Sequence, residues 1–131
     1  MEDIGLDTLI VDDEPLARNR LKTLCARLGS ISRVRIASNG FEALGIVEAE
    51  TPDLILLDVD MPDLSGIEVA ERCRLFGKSP EIIFTTAHSR DAVRAFRLHA
   101  VDVVLKPVKQ ALLSEAVDRV SQRLEIASKA D

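Results

Sequence analysis

Five short β-branched or leucine-rich runs, at 8–11, 33–37, 53–57, 81–85 and 102–105, alternate along this chain with apolar residues at helical spacing. That alternation constrains the fold more than any other feature. Runs such as Leu54, Ile55, Leu56, Leu57 and Ile82, Ile83, Phe84 have no polar face. A strand buried on both sides needs helices on both sides, which βα crossovers supply only to a parallel sheet; a half-exposed antiparallel strand would alternate polar and apolar. Between the runs lie the helical sets Ala17, Leu21, Leu24, Leu28; Phe41, Leu44, Val47; Val69, Cys73, Phe76; Ala92, Val93, Phe96; and Leu113, Val117, Val120, Leu124. Pro15 suits a first turn, Gly29 and Gly77 suit left-handed helix stops, and Ser65 with Glu68 fits a capping box. The expected fold is α/β: a five-stranded parallel sheet of order 2-1-3-4-5 with right-handed crossovers and helices on both faces.

With 131 residues, 47% of them hydrophobic, the chain makes one domain with a buried core. Residues 1–125 carry that domain, and 126–131, past the last apolar seam, read as a tail or the start of a linker. Lysine and arginine number 17 against 22 acids, a formal charge of -5, so no overall basic field exists to attract nucleic acid. All four aromatics are phenylalanine, too few for base-stacking platforms. No apolar run approaches the roughly 20 residues that span a bilayer, and Met1, Glu2 and Asp3 lack the cationic start of a leader, so the chain reads as cytoplasmic, with no membrane partner. Cys25 and Cys73 sit in apolar stretches on helices expected to lie on opposite sides of the sheet, which points to buried thiols rather than a disulfide or zinc site.

In an open α/β sheet, ligands bind beyond the carboxyl ends of the strands where the strand order reverses, here between the first and third strands. The first strand ends in Asp12, Asp13 and Glu14, the third in Asp58. Adjacent strands lie about 4.8 Å apart, and like charges at ~4 Å repel by roughly 4 kcal/mol at intermediate dielectric. The cluster therefore calls for a cation. Magnesium suits a site with a few carboxylates and open positions for water and phosphate, whereas calcium wants a fuller cage. Thr86 ends the fourth strand and Lys106 the fifth, adding a hydroxyl and an ammonium to the same rim. A carboxylate nucleophile, a metal, a hydroxyl and a lysine are the parts phosphoryl transfer requires. Each part has a plainer reading: acids at a helix start, a solvated strand end at Asp58, turn residues at Asp60 and Asp63, a helix-approach hydroxyl at Thr86. Their alignment at the carboxyl ends of four strands favours the functional one.

These residues resemble response-regulator receiver domains: LIVDDEP at 9–15, LDVDMP at 57–62 with Ser65 and Gly66, Thr86 with Ala87, and LKP at 105–107. The resemblance covers nearly the whole chain, and the wording around 12–20 and 64–68 is most similar to receivers of LytTR-type transcription regulators. It implies a flavodoxin-like receiver fold in which Asp58 accepts a phosphoryl group from a sensor histidine kinase's phosphohistidine, or from a small acyl phosphate. It implies Mg2+ bound directly by Asp13 and Asp58, through water by Asp12, and by the backbone carbonyl of Asp60. Thr86 and Lys106 would each bind a phosphoryl oxygen, shifting the surface of the fourth helix, fifth strand and fifth helix, where a partner or second copy docks. DNA would be reached only through a separate effector domain, which these residues do not encode.

One position departs from the family pattern: Val103 stands where most receivers carry an aromatic that follows the threonine inward, and valine has no comparable rotamer pair. Asp60 and His88, two residues after the acceptor and the threonine, would flank a hydrolysing water. His99 reads as a helix C-terminal or solvent contact, and Arg90, Arg94 and Arg97 as an interaction face or a solvated one. Two other functions compete with a signalling switch. Asp58-Val59-Asp60 mimics the two-aspartate motif of haloacid-dehalogenase-type phosphatases, but that motif belongs on the first strand of a longer, capped chain. A phosphorylation-independent dimerisation or interaction module has only Val103 in its favour.

Overall fold

The computed structural model describes residues 5–129, except for the side chains of Val93 and of 126–129. Met1, Glu2 and Asp3, Val93 as a core residue, and the end of the expected tail fall outside the described residues. Strands β1 (Leu6–Val11), β2 (Ile31–Ala37), β3 (Leu54–Asp58), β4 (Glu81–Thr86) and β5 (Asp102–Leu105) alternate with helices α1 (Pro15–Cys25), α2 (Gly40–Ala49), α3 (Gly66–Leu75), α4 (Asp91–Arg97) and α5 (Gln110–Lys129). All strand pairs are parallel, in the order β2-β1-β3-β4-β5, as the unbroken apolar runs require.

Each strand feeds two cores. Leu9, Val11, Ile55, Leu57 and Phe84 pack under α2, α3 and α4, while Ile10, Leu54, Leu56, Ile83 and Val104 pack under α1 and α5. Cys25 lies in the second core and Cys73 in the first, so the sheet separates the two free thiols. Burial pushes both up to about 11, which leaves them protonated and unreactive at neutral pH. The edge strand β2 is guarded by charge: Arg33 and Arg35 pair with Asp7 on the adjacent β1.

The helix punctuation holds in part. Pro15 occupies the first turn of α1, and Ser65 and Glu68 form a reciprocal capping box at α3. Gly77 (φ 73°) ends α3 in a Schellman motif, its N–H on the Arg74 carbonyl and that of Lys78 on Cys73. Gly29 is not a left-handed stop. α1 ends four residues earlier, with Ala26 still in the right-handed helical region, and tight i→i+3 bonds from Arg27 and Leu28 finish the turn. The left-handed stop of α4 is His99 (φ 59°), an exposed residue whose N–H bonds the Phe96 carbonyl while Ala100 reaches back to Ala95.

The helical sets also mislead at their edges. Phe41 and Phe76 are about half exposed and Phe96 is 83% exposed, whereas Ala95 is buried on α4. Arg72 lies over the outer face of Phe41, 5.9 Å from the ring centroid.

Candidate functional site

Register places the acids. Val11 pairs with Leu57, so the next residues, Asp12 and Asp58, emerge side by side at the carboxyl rim. Carboxylate oxygens of Asp12, Asp13 and Asp58 lie within 4.8 Å of one another. Asp12 and Asp58 are buried and Asp13 is partly exposed, which leaves the cluster one open side. Local structure fixes the geometry: an Asp12 oxygen accepts the Glu14 N–H at 2.9 Å, and Arg18 grips the Asp12 carbonyl at 2.8 Å. Glu14, the fourth acid at this rim, is exposed and lies outside the cluster.

Lys106 crosses the notch. Its Nζ lies 2.9 Å from Asp12 Oδ2 and 3.2 Å from Asp58 Oδ1, just before a cis peptide to Pro107. Burial pulls the ammonium down, but its bond to Asp12 and the charges of Asp58 and Asp12 outweigh that and hold it above its ordinary value. One cation does not balance the carboxylates. Burial first, and the Asp12 charge second, push Asp58 up from 3.8 to about 7, against the opposing pull of Lys106 and of the Asp60 N–H at 3.3 Å. Three carboxylates facing one ammonium leave a formal surplus of two negative charges on hard oxygen donors, a donor set that fits a divalent ion.

Thr86 and Asp60 sit at the same rim with other partners. The Thr86 hydroxyl donates to Asp91 Oδ2 at 2.6 Å and accepts the His88 N–H at 3.0 Å; a long contact to Asp60 Oδ2 measures 3.5 Å. The Asp60 carboxylate is half exposed, 3.8 Å from His88 Nε2, so these two flanking residues do meet. Val103 packs partly buried against the core under α2, α3 and α4, the face on which Phe84 sits. Sequence reasoning missed Asp91. An acid in the first turn of a helix is ordinarily explained by the helix dipole, and nothing in its spacing from Thr86 marks it as a buried hydrogen-bond partner.

Comparison with known proteins agrees with this architecture. The family model described as "Response regulator receiver domain" matches residues 8–118. The chain is 40% identical over 126 residues to "Sensory transduction protein LytR" of Staphylococcus haemolyticus, covering 96% of this chain and 49% of that protein. It is 42% identical over 129 residues to the "Positive alginate biosynthesis regulatory protein" of Pseudomonas aeruginosa, covering 94% and 51%. The chain thus spans about half the length of the curated relatives it matches. Among solved structures, the response regulatory domain of protein mrkE from Klebsiella pneumoniae superposes with a TM-score of 0.81 at 30% identity, over 90% of this chain and 97% of that one. With a buried acid cluster at the switch point of a five-stranded sheet and a family match over most of its length, the chain belongs to the receiver domains of two-component response regulators.

Proposed function

We propose that Asp58 is the phosphoacceptor of this receiver, and that the chain works as a switch rather than as an enzyme turning over a metabolite. The observation that carries this reading is the placement of Asp58: a buried carboxylate at the end of the central strand, beside two more acids and within 3.2 Å of an ammonium. An Asp58 oxygen attacks phosphorus, and the O–P bond forms as the donor's P–N bond to a histidine kinase imidazole, or P–O bond to an acyl group, breaks. The electron pair leaves on that nitrogen or oxygen. Lys106 already bridges Asp12 and Asp58 and needs only a short swing to reach a phosphoryl oxygen. Thr86 donates its hydroxyl to another.

Asp12, Asp13, Asp58 and the backbone carbonyl of Asp60 would hold Mg2+, which when bound supplies charge neutralisation for the incoming phosphate. Because the metal needs Asp58 ionised and that group titrates near 7, magnesium affinity should climb about tenfold per pH unit below 7 and level off above it. Isothermal titration calorimetry across pH 5.5 to 8.5 checks this, and a flat profile would remove Asp58 from the ligand set.

The output surface in this reading is α4, β5 and α5. Phe96 at 83%, Leu105 at 44% and Leu112 at 45% exposure supply apolar area there for a second copy or an effector. Transcription control would run through a further domain of a longer regulator, as the names of the relatives, such as "Transcriptional regulatory protein LytR" of Staphylococcus aureus, support. The receiver would end near residue 125, since the family match stops at 118 and Leu124 is the last residue of α5 packed against the core among the described residues. No helix among the described residues is long and apolar enough to cross a membrane, in keeping with a cytoplasmic role.

Incubation with acetyl phosphate and Mg2+, followed by intact mass measurement, tests the reading. We expect one base-labile phosphoryl group, absent in Asp58→Asn and without metal. Turnover of phosphate esters would favour a phosphatase, and no uptake at all would favour an interaction module.

A further inference from the structure

A hydroxyl has a single proton, and in this structure that of Thr86 is already committed. It goes to Asp91 Oδ2 at 2.6 Å, between side chains on residues of 0% and 5% exposure. Among the described residues Thr86 is the only hydrogen-bond partner of the Asp91 carboxylate. Asp91 is the first residue of α4, a helix of seven residues whose preceding Arg90 makes no side-chain cap. Besides Asp91, Ala95 is the only residue of α4 buried among those described. Among the described side chains of α4, the Ala95 methyl group and the Thr86–Asp91 hydrogen bond are therefore its buried attachments to the rest of the fold.

We propose that Asp91 is a latch coupling the phosphorylation site to α4: it holds the Thr86 hydroxyl proton in the resting chain and loses it when a phosphoryl oxygen on Asp58 captures that hydroxyl. This rests on the reading of Asp58 as the phosphoacceptor. Once Thr86 turns away, the Asp91 carboxylate stays buried with no donor, a costly state that is relieved when the first turn of α4 moves out and water reaches the charge. Asp91 is thus a positioning residue; it never touches the phosphoryl group. The latch also supplies what Val103 cannot. In place of an aromatic ring swinging into space vacated by the threonine, a carboxylate on α4 senses the departure of the same hydroxyl.

The test uses beryllofluoride with Mg2+ as the phosphoryl mimic, on the full chain, with two readouts: its affinity, and hydrogen exchange of the backbone at 89–95. In the wild type, binding should lower the protection of the first turn of α4. Asp91→Ala frees the hydroxyl, so it should bind beryllofluoride about tenfold more tightly, with α4 already open and unchanged on binding. Asp91→Asn keeps a weaker, neutral acceptor of the same shape and should fall between; it also provides the measurement if the alanine variant folds poorly. In a Thr86→Ala background the advantage of Asp91→Ala should vanish. A residue that merely supported the fold would weaken binding or leave it unchanged, so either result in both Asp91 variants overturns the latch, as does a wild-type α4 indifferent to beryllofluoride. A wild-type chain that takes up neither beryllofluoride nor phosphate overturns the phosphoacceptor reading and the latch together; a wild type that binds normally beside indistinguishable variants overturns the latch alone.

Discussion

Asp58→Asn should make the metal-free chain more stable at pH 8, by about 2–4 kcal/mol, while abolishing phosphoryl uptake. The sign follows from the raised folded value. Asp58 titrates at about 7 in the fold and near 3.8 when exposed, so the folded chain binds more protons between those two values. Below about pH 4 the carboxyl is protonated in both states and carries no penalty. Stability is lost as pH rises from about 4 to 7, and the full loss, roughly 4 kcal/mol at most, applies above 7. An asparagine never ionises, so it escapes this penalty, and Lys106 keeps its bond to Asp12 at 2.9 Å. Urea unfolding in the presence of a chelator checks the effect: the variant's advantage should be large at pH 8 and shrink towards zero near pH 4. Added Mg2+ should narrow the gap at pH 8, because the wild type gains a ligand that the variant holds less well. A variant less stable than wild type at pH 8 would mean that Lys106 and the neighbouring N–H groups already compensate the buried charge, so that the acid cluster calls for no divalent ion.

That penalty shows why the site was legible in the sequence. A protein does not bury two carboxylates side by side beside a third for stability, so their convergence follows from topology plus function, and topology was readable because doubly covered strands leave no polar face to misplace. β5 falls at 102–105 as expected, and the other strands differ from their expected ends by one or two residues. The helices were less legible. Periodicity identifies a face but not how much of it the neighbours cover, which is how Phe41, Phe76 and Phe96 end up exposed while Asp91 and Ala95 are buried on α4. Likewise Gly29 looked like a helix stop because glycine permits a left-handed turn. Permission is not use: α1 closes with Ala26 still right-handed, while a non-glycine, His99, takes the left-handed stop of α4. The Thr86–Asp91 bond was illegible for a related reason: it depends on the approach angle of a short helix, which no local pattern encodes.

Gly66→Ala should be the most damaging small substitution in the chain. A Cβ at Gly66 would lie 2.2 Å from the Asp58 carbonyl oxygen, 2.9 Å from its carbon and 3.0 Å from Val59 Cα, all backbone atoms that cannot rotate aside. The same close approach lets the Gly66 N–H reach the Val59 carbonyl at 3.0 Å, so the start of α3 is pinned to the end of β3. To accept a methyl group, α3 must retreat by roughly 1 Å, losing that bond and loosening Val69, Ala70 and Cys73 in the core beneath it. The expected cost is about 3 kcal/mol or more, on the order of 10 °C in Tm. Gly45→Ala is the control: nothing lies within 4 Å of a Cβ there, inside α2, so it should gain about 0.5–1 kcal/mol from helix propensity. Thermal unfolding separates the two. The retreat also moves the segment that carries Asp58 and Asp60, so Gly66→Ala should weaken Mg2+ binding at temperatures where it remains folded. Normal magnesium affinity in a destabilised Gly66→Ala would show that the acid cluster is held by β1 and β3 alone, with α3 contributing only packing.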